Sequence, residues 1–143
     1  NSELRYLTLR FDDEKPFIYN LNKVDFNKPL FVVEGPIDSL FIPNCIAVAG
    51  SDFSKITNEI PLTNTTVVFD NEPRNKEIVD RMYKMIDKDY MIVIWPEGQK
   101  EKDINEMIVN GNTKEQVQEI ITDNTFCGAA AKLRFAEWRK INA

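Results

Sequence analysis

The sequence predicts a three-layer α/β domain with a central, mainly parallel four-stranded sheet flanked by helices, an added edge strand and a C-terminal helical segment. Three observations predict it. Four short runs are rich in β-branched and aromatic residues: 30–33 (LFVV), 46–49 (IAVA), 66–69 (TVVF) and 91–94 (MIVI). None alternates strictly between apolar and polar residues, which is the pattern of strands buried on both faces of a parallel sheet. Helical spacing fills the intervals between and after these runs, so strands and helices alternate and right-handed β-α-β crossovers follow. A chain of 143 residues has the size of one domain and can bury about two-thirds of the surface its unfolded form exposes.

Taken in order, residues 6–9 (YLTL) read as the added edge strand. Pro36 suits a first helical turn, and the short helix behind it is predicted to carry Ile37, Leu40 and Phe41 inward. The clearest helix covers 74–88, where Ile78, Met82, Met85 and Ile86 form one apolar stripe and Lys76, Glu77, Arg81 and Lys84 a solvated face. Asp103 and Glu106 have capping-box spacing ahead of Ile104, Met107 and Ile108, with Gly111 placed to end that helix. Thr113 and Gln116 start another, carrying Val117, Ile120 and Ile121. A last helix is predicted from about 125 to 140, with Leu133 and Trp138 serving the core.

Composition narrows the chemistry. Apolar residues at 43% and charged residues at 29% match a globular chain rather than a disordered one. No run of about 18 apolar residues is present, and the N-terminal Asn1-Ser2-Glu3-Leu4-Arg5 has no signal character, so the expected location is a cytoplasm and no membrane is involved. Two distant cysteines, Cys45 and Cys127, predict two buried thiols rather than a disulfide or a zinc site. The chain has no histidine. That removes Ser-His and Cys-His catalysis and His-ligated zinc together, and leaves carboxylates, lysines, hydroxyls or a hard metal ion. A net charge of −5 argues against coating nucleic acid by bulk electrostatics. It is compatible with an acidic cluster that is neutralised when a cation binds.

Such a cluster is legible at the strand ends. The first strand runs into Glu34-Gly35-Pro36-Ile37-Asp38, the third into Asp70-Asn71-Glu72, and Lys102-Asp103-Ile104-Asn105-Glu106 follows the fourth. Open α/β sheets bind ligands beyond the carboxyl ends of their strands. Neighbouring strands lie about 4.8 Å apart, so Glu34, Asp70, Glu72 and Asp103 should converge. Carboxylates so close either take up protons or hold a divalent cation, and an oxygen-only ligand set favours Mg²⁺, Mn²⁺ or Ca²⁺ over zinc. Taken singly, Asp38 and Asp103 have the ordinary explanation of helix caps and Asp70 that of a turn residue. Glu34 has no capping reason to end an apolar strand, and the conjunction carries more than its parts.

These three segments, each after a hydrophobic strand, resemble the signature segments of the Toprim (Rossmann-like) fold of bacterial-type primases, type IA and type II topoisomerases and some nucleases. The general pattern there is a Glu after the first strand and Asp-x-Asp after the third; here Glu72 replaces the second aspartate. The longer strings 33–41 (VEGPIDSLF) and 69–74 (FDNEPR) are similar to the primases of T-even-type bacteriophages in particular.

The resemblance implies a catalytic role for Glu34, Asp70 and Glu72, with Glu34 the acid–base or metal-organising group. It implies a Mg²⁺ site, which Mn²⁺ can also fill, at Glu34, Asp70 and Glu72, completed by Asp38 and Asp103, and no zinc in this chain. Arg74, Lys76, Lys100 and Lys102 flank the site as candidate contacts to nucleotide or template. The implied reaction is primer synthesis from nucleoside triphosphates on single-stranded DNA, in the host bacterial cytoplasm, with a replicative helicase as partner. Residues 1–28 are then the tail of a preceding subdomain or an edge strand, 29–112 the Toprim core, and 113–143 C-terminal helices packed on it. A zinc module and most of a basic subdomain would lie outside this chain, so weak activity and weak binding of single-stranded DNA are expected of it alone. The competing readings are a metal-dependent nuclease on the same carboxylates, or a non-catalytic docking module using the basic segment 132–140.

Overall fold

The computed structural model describes residues 19–48 and 60–140. The edge strand predicted over 6–9 lies outside them. Five strands form one sheet: β1 (Leu30–Val33), β2 (Cys45–Ala47), β3 (Thr65–Val68), β4 (Met91–Val93) and β5 (Thr125–Phe126). Their spatial order is β2-β1-β3-β4-β5. The first four are parallel, and β5 runs antiparallel along β4. Val33 is in register with both Ala47 and Val68, so the ends of β1 and β3 emerge side by side. From β1 the chain first moves outward to β2 and then returns past β1 to β3. That reversal makes the carboxyl ends of β1 and β3 the switch point of the sheet, where open α/β folds form their crevice.

The apolar strand runs bury both faces, as their lack of alternation predicts. On one face Leu30, Val32, Val67, Phe69, Ile92 and Ile94 pack with Ile78, Met82, Met85 and Ile86 of α2 (Lys76–Asp87) and with Ala131, Phe135 and Trp138 of α5 (Gly128–Trp138). On the other, Val33, Ala47, Val68, Val93 and Trp95 pack with Ile104 and Met107 of α3 (Ile104–Val109) and Val117 and Ile121 of α4 (Lys114–Asp123). Alternate residues of one strand therefore serve opposite cores. Two of the long helices start at side-chain caps. Asn75 accepts hydrogen bonds from the amides of Glu77 and Ile78 at the start of α2, and Thr113 and Gln116 close a full capping box at the start of α4.

Four expectations are corrected. The predicted last helix is divided: Thr125 and Phe126 form β5, and α5 begins at Gly128, whose φ of 62° a non-glycine residue adopts only with strain. Leu133 on α5 is exposed, while Trp138 is buried as expected. The helix after Pro36, α1 (Pro36–Ser39), is a single turn that buries Asp38 and Ser39 and exposes Ile37 and Leu40. The cause is a tether, because the Asp38 carboxylate accepts the Asn105 amide at 2.8 Å and turns the polar side of the short helix toward the sheet. Of the two thiols, Cys45 is buried and Cys127 exposed, against the expectation of two buried ones. Among the described residues no helix is long and apolar enough to cross a membrane.

Candidate functional site

Three acidic segments meet at the switch point. Glu34 follows β1, Asp70 follows β3 after Phe69, and Asp103 caps α3 by accepting the Glu106 amide at 2.8 Å. Asp38, Asp70 and Asp103 each bring one carboxylate oxygen within 4.8 Å of the others, and they form the one such group of metal-ligating side chains among the described residues. Gly35 between them is extended, with φ −107° and ψ 137°, so no sharp turn requires glycine there. Space does not require glycine either: a β-carbon at this position would lie 3.5 Å from Asp38 Oδ2, an ordinary van der Waals contact.

The electrostatics are those of crowded carboxyls withdrawn from water. Asp70 is pushed up to about 8, first by burial and then by the charges of Glu34, Asp38, Asp103 and Glu72. Glu34 is raised by burial, against the opposing pull of Arg81, and further by Glu72 and Asp38. Asp38 is raised by burial and by Asp103, although the Asn105 amide stabilises its ionised form. The two groups act on each other in opposite senses: Asp70 favours the ionised form of Glu34, and the charge of Glu34 favours the protonated form of Asp70. Glu34 Oε1 is buried without a hydrogen-bond partner; Arg81 Nη1 stands 4.0 Å from it, an ion-pair distance too long for a hydrogen bond. Oxygen donors alone, one of them unsatisfied, suit a hard divalent cation.

The structure thus brings together Asp38, Asp70 and Asp103, with Glu34 against Asp70. Glu72 stands outside the triad but near enough for its charge to act on Glu34 and Asp70. Of the flanking cations, Arg74, Lys76 and Lys102 are exposed. Lys100 lines a cleft of about 360 Å³ beside Asn71, shared with Pro73, Arg134, Trp138 and Lys140. Arg134 and Lys140 were legible only as part of a basic C-terminal segment. Arg81, read as part of a solvated face, is half-buried against Glu34. Its spacing three residues beyond Ile78 puts it at the margin of the apolar stripe, and that spacing is the signal for it.

A pH dependence follows from these shifts. A carboxyl whose folded pKa is raised binds its proton in the folded state after the unfolded chain has released it. Stability from Asp70 is therefore full below the ordinary carboxylate range and is lost as pH rises toward about 8. Urea unfolding in a chelator is expected to show falling stability between pH 5 and 8 (roughly that window), and millimolar Mg²⁺ should flatten the slope. A metal-free stability that rises over the same interval would contradict these assignments.

The chain is 36% identical over 140 residues to the DNA primase of Enterobacteria phage T4, an alignment that takes in 96% of this chain and 40% of that protein. The chain therefore spans about two-fifths of the length of the relative it matches. No family model matches it.

Proposed function

We propose that this chain is the catalytic Toprim part of a phage-type DNA primase, joining ribonucleotides into short RNA primers on single-stranded DNA with Mg²⁺, for which Mn²⁺ can substitute. The observation that carries this reading is the convergence of Asp38, Asp70 and Asp103 at the β1–β3 switch point, with Glu34 beside them. The likeness to a phage primase supports it. In this reading residues 29–112 are the Toprim core, 113–143 its packed C-terminal helices, and 1–28 the tail of an upstream part. The setting is the host bacterial cytoplasm, with a replicative helicase as partner.

Asp38, Asp70 and Asp103 would hold the cation, with Glu34 and Glu72 at its margin. Bound there, Mg²⁺ supplies charge that stabilises the transferred phosphate. The bond that forms joins a primer 3′-oxygen to the α-phosphorus of a nucleoside triphosphate. The bond that breaks releases pyrophosphate. The 3′-hydroxyl proton passes to a base, and Glu34 is suited to take it, because burial has already raised its affinity for a proton. The cleft beside Asn71, with Lys100, Arg134 and Lys140, offers charges for the triphosphate or template, and the exposed Arg74, Lys76 and Lys102 are candidates for further contacts.

Titration calorimetry tests the reading. Nucleoside triphosphate is expected to bind this chain only with Mg²⁺ present, and a labelled single-stranded oligonucleotide to bind weakly and lose affinity with salt, given the net charge of −5. Tight, salt-resistant DNA binding that needs no metal would favour a docking module instead.

A further inference from the structure

Asp70 stands between two residues that are each held by a tryptophan. The Trp95 indole N–H donates to the Phe69 carbonyl at 2.8 Å, and the Trp138 indole N–H donates to Asn71 Oδ1 at 3.0 Å. Asn71 is itself a junction. Its side-chain amide donates to the carbonyls of Gln99 at 3.0 Å and Glu101 at 3.1 Å, and its backbone amide donates to the Lys102 carbonyl at 2.6 Å. The loop so gripped leads directly into Asp103.

Only asparagine answers all of these partners. An indole donor needs an oxygen, and two carbonyl acceptors need an NH₂, which fixes the orientation of the amide. The far side of the junction belongs to α5 and the residues that follow it, which reach the same region at two further points. Arg134 Nη2 donates to the Trp95 carbonyl at 2.9 Å, and the Lys140 amide donates to the Pro73 carbonyl at 2.8 Å. Helix α5 has no ligand in the acidic triad, yet it is bonded to the segments that carry Asp70 and follow β4.

We infer that Trp138 and Asn71 form a positioning brace through which α5 fixes the Asp70 segment against the loop leading to Asp103, and so sets the affinity of the acidic site for a divalent cation. The inference rests on the metal-site reading above. Neither residue touches the cation. The brace acts on ligand spacing, because carboxylates held at bonding separation before a cation arrives need no reorganisation when it binds. Groups that orient metal ligands typically change affinity by about 10- to 100-fold when removed.

The test is Mn²⁺ binding by calorimetry to the full chain. Trp138→Phe keeps an aromatic ring and removes the N–H; Asn71→Ser removes the amide. Each is expected to weaken Mn²⁺ by about tenfold, the low end of that range. The double variant should bind no more weakly than Asn71→Ser alone, since both changes break one linkage. Ile86→Val, a buried change near the C-terminal end of α2, controls for lost stability and should bind as the parent does; Phe135, stacked on Trp138, is left intact. If Trp138→Phe fails to fold, Asn71→Ser against Ile86→Val decides. Parent-like Mn²⁺ affinity in Trp138→Phe and Asn71→Ser would overturn the brace and leave the metal site standing. Equal weakening in Ile86→Val would also overturn it, the loss then belonging to stability. Absence of Mn²⁺ binding by the parent chain would overturn the metal-site reading and the brace with it.

Discussion

Glu34→Gln, placed in a longer protein that carries the upstream part of a primase, is expected to fold normally and to lose primer synthesis by about 100-fold or more, the scale of losing a general acid or base. The carboxamide has nearly the shape of the carboxylate, so the end of β1 keeps its packing. It cannot take a proton at neutral pH. Fold and function should separate further because the native group is a burden to the fold: it is withdrawn from water and crowded by Glu72 and Asp38, with Arg81 at 4.0 Å and Asp70 offsetting this only in part. Removing its charge also removes one cause of the Asp70 shift, so thermal stability without metal should stay level or rise. Primer synthesis followed on gels, beside a melting curve, reads both effects. Near-normal synthesis by the variant would end the acid–base assignment.

Asp70→Asn is expected to abolish the rise in melting temperature that millimolar Mg²⁺ or Mn²⁺ gives the parent chain. A ligand that binds only the folded state stabilises it by about 2.7 kcal/mol at one hundred times its Kd, several degrees for a domain of this size. Asp70 is the member of the triad that also faces Glu34, and every acidic neighbour acts on it. Without its charge the site loses both a ligand and the repulsion that a cation relieves. The same variant should lose most of the metal-free decline in stability between pH 5 and 8 (a window of about this width), which separates removal of the titrating group from general damage. A metal-induced shift that survives in Asp70→Asn would place the cation elsewhere.

The parts of this fold that were legible in the sequence are those with a local physical cause. Runs such as 30–33 and 66–69 are apolar on both sides because two cores need them, and Thr113 caps its helix through Gln116, three residues away. The acidic strand ends were visible because each interrupts such a run. Short elements were not legible. A two-residue strand, Thr125–Phe126, has no period, and one helical turn at Pro36–Ser39 is too brief for a stripe to show that Asp38 rather than Leu40 faces inward. Contacts made at a distance leave no local trace either. Asp38 reaches Asn105 and Trp138 reaches Asn71, each across 67 positions, and Arg81 looked solvated because its partner Glu34 lies on another element. An extended Asp70-Asn71-Glu72 would project both carboxylates to one side, but the Glu72 amide bonds back to the Asp70 carbonyl at 2.9 Å, a tight turn that breaks the extended geometry.

The placing of the two indoles has an optical consequence. The chain has two tryptophans, and both donate to residues adjoining Asp70. Light absorbed selectively by tryptophan is therefore emitted from one corner of the molecule, and carries no contribution from the opposite ends of the strands. Unlabelled protein contains its own optical probe of the acidic crevice, with Trp95 buried beneath the β3 end and Trp138 at the cleft.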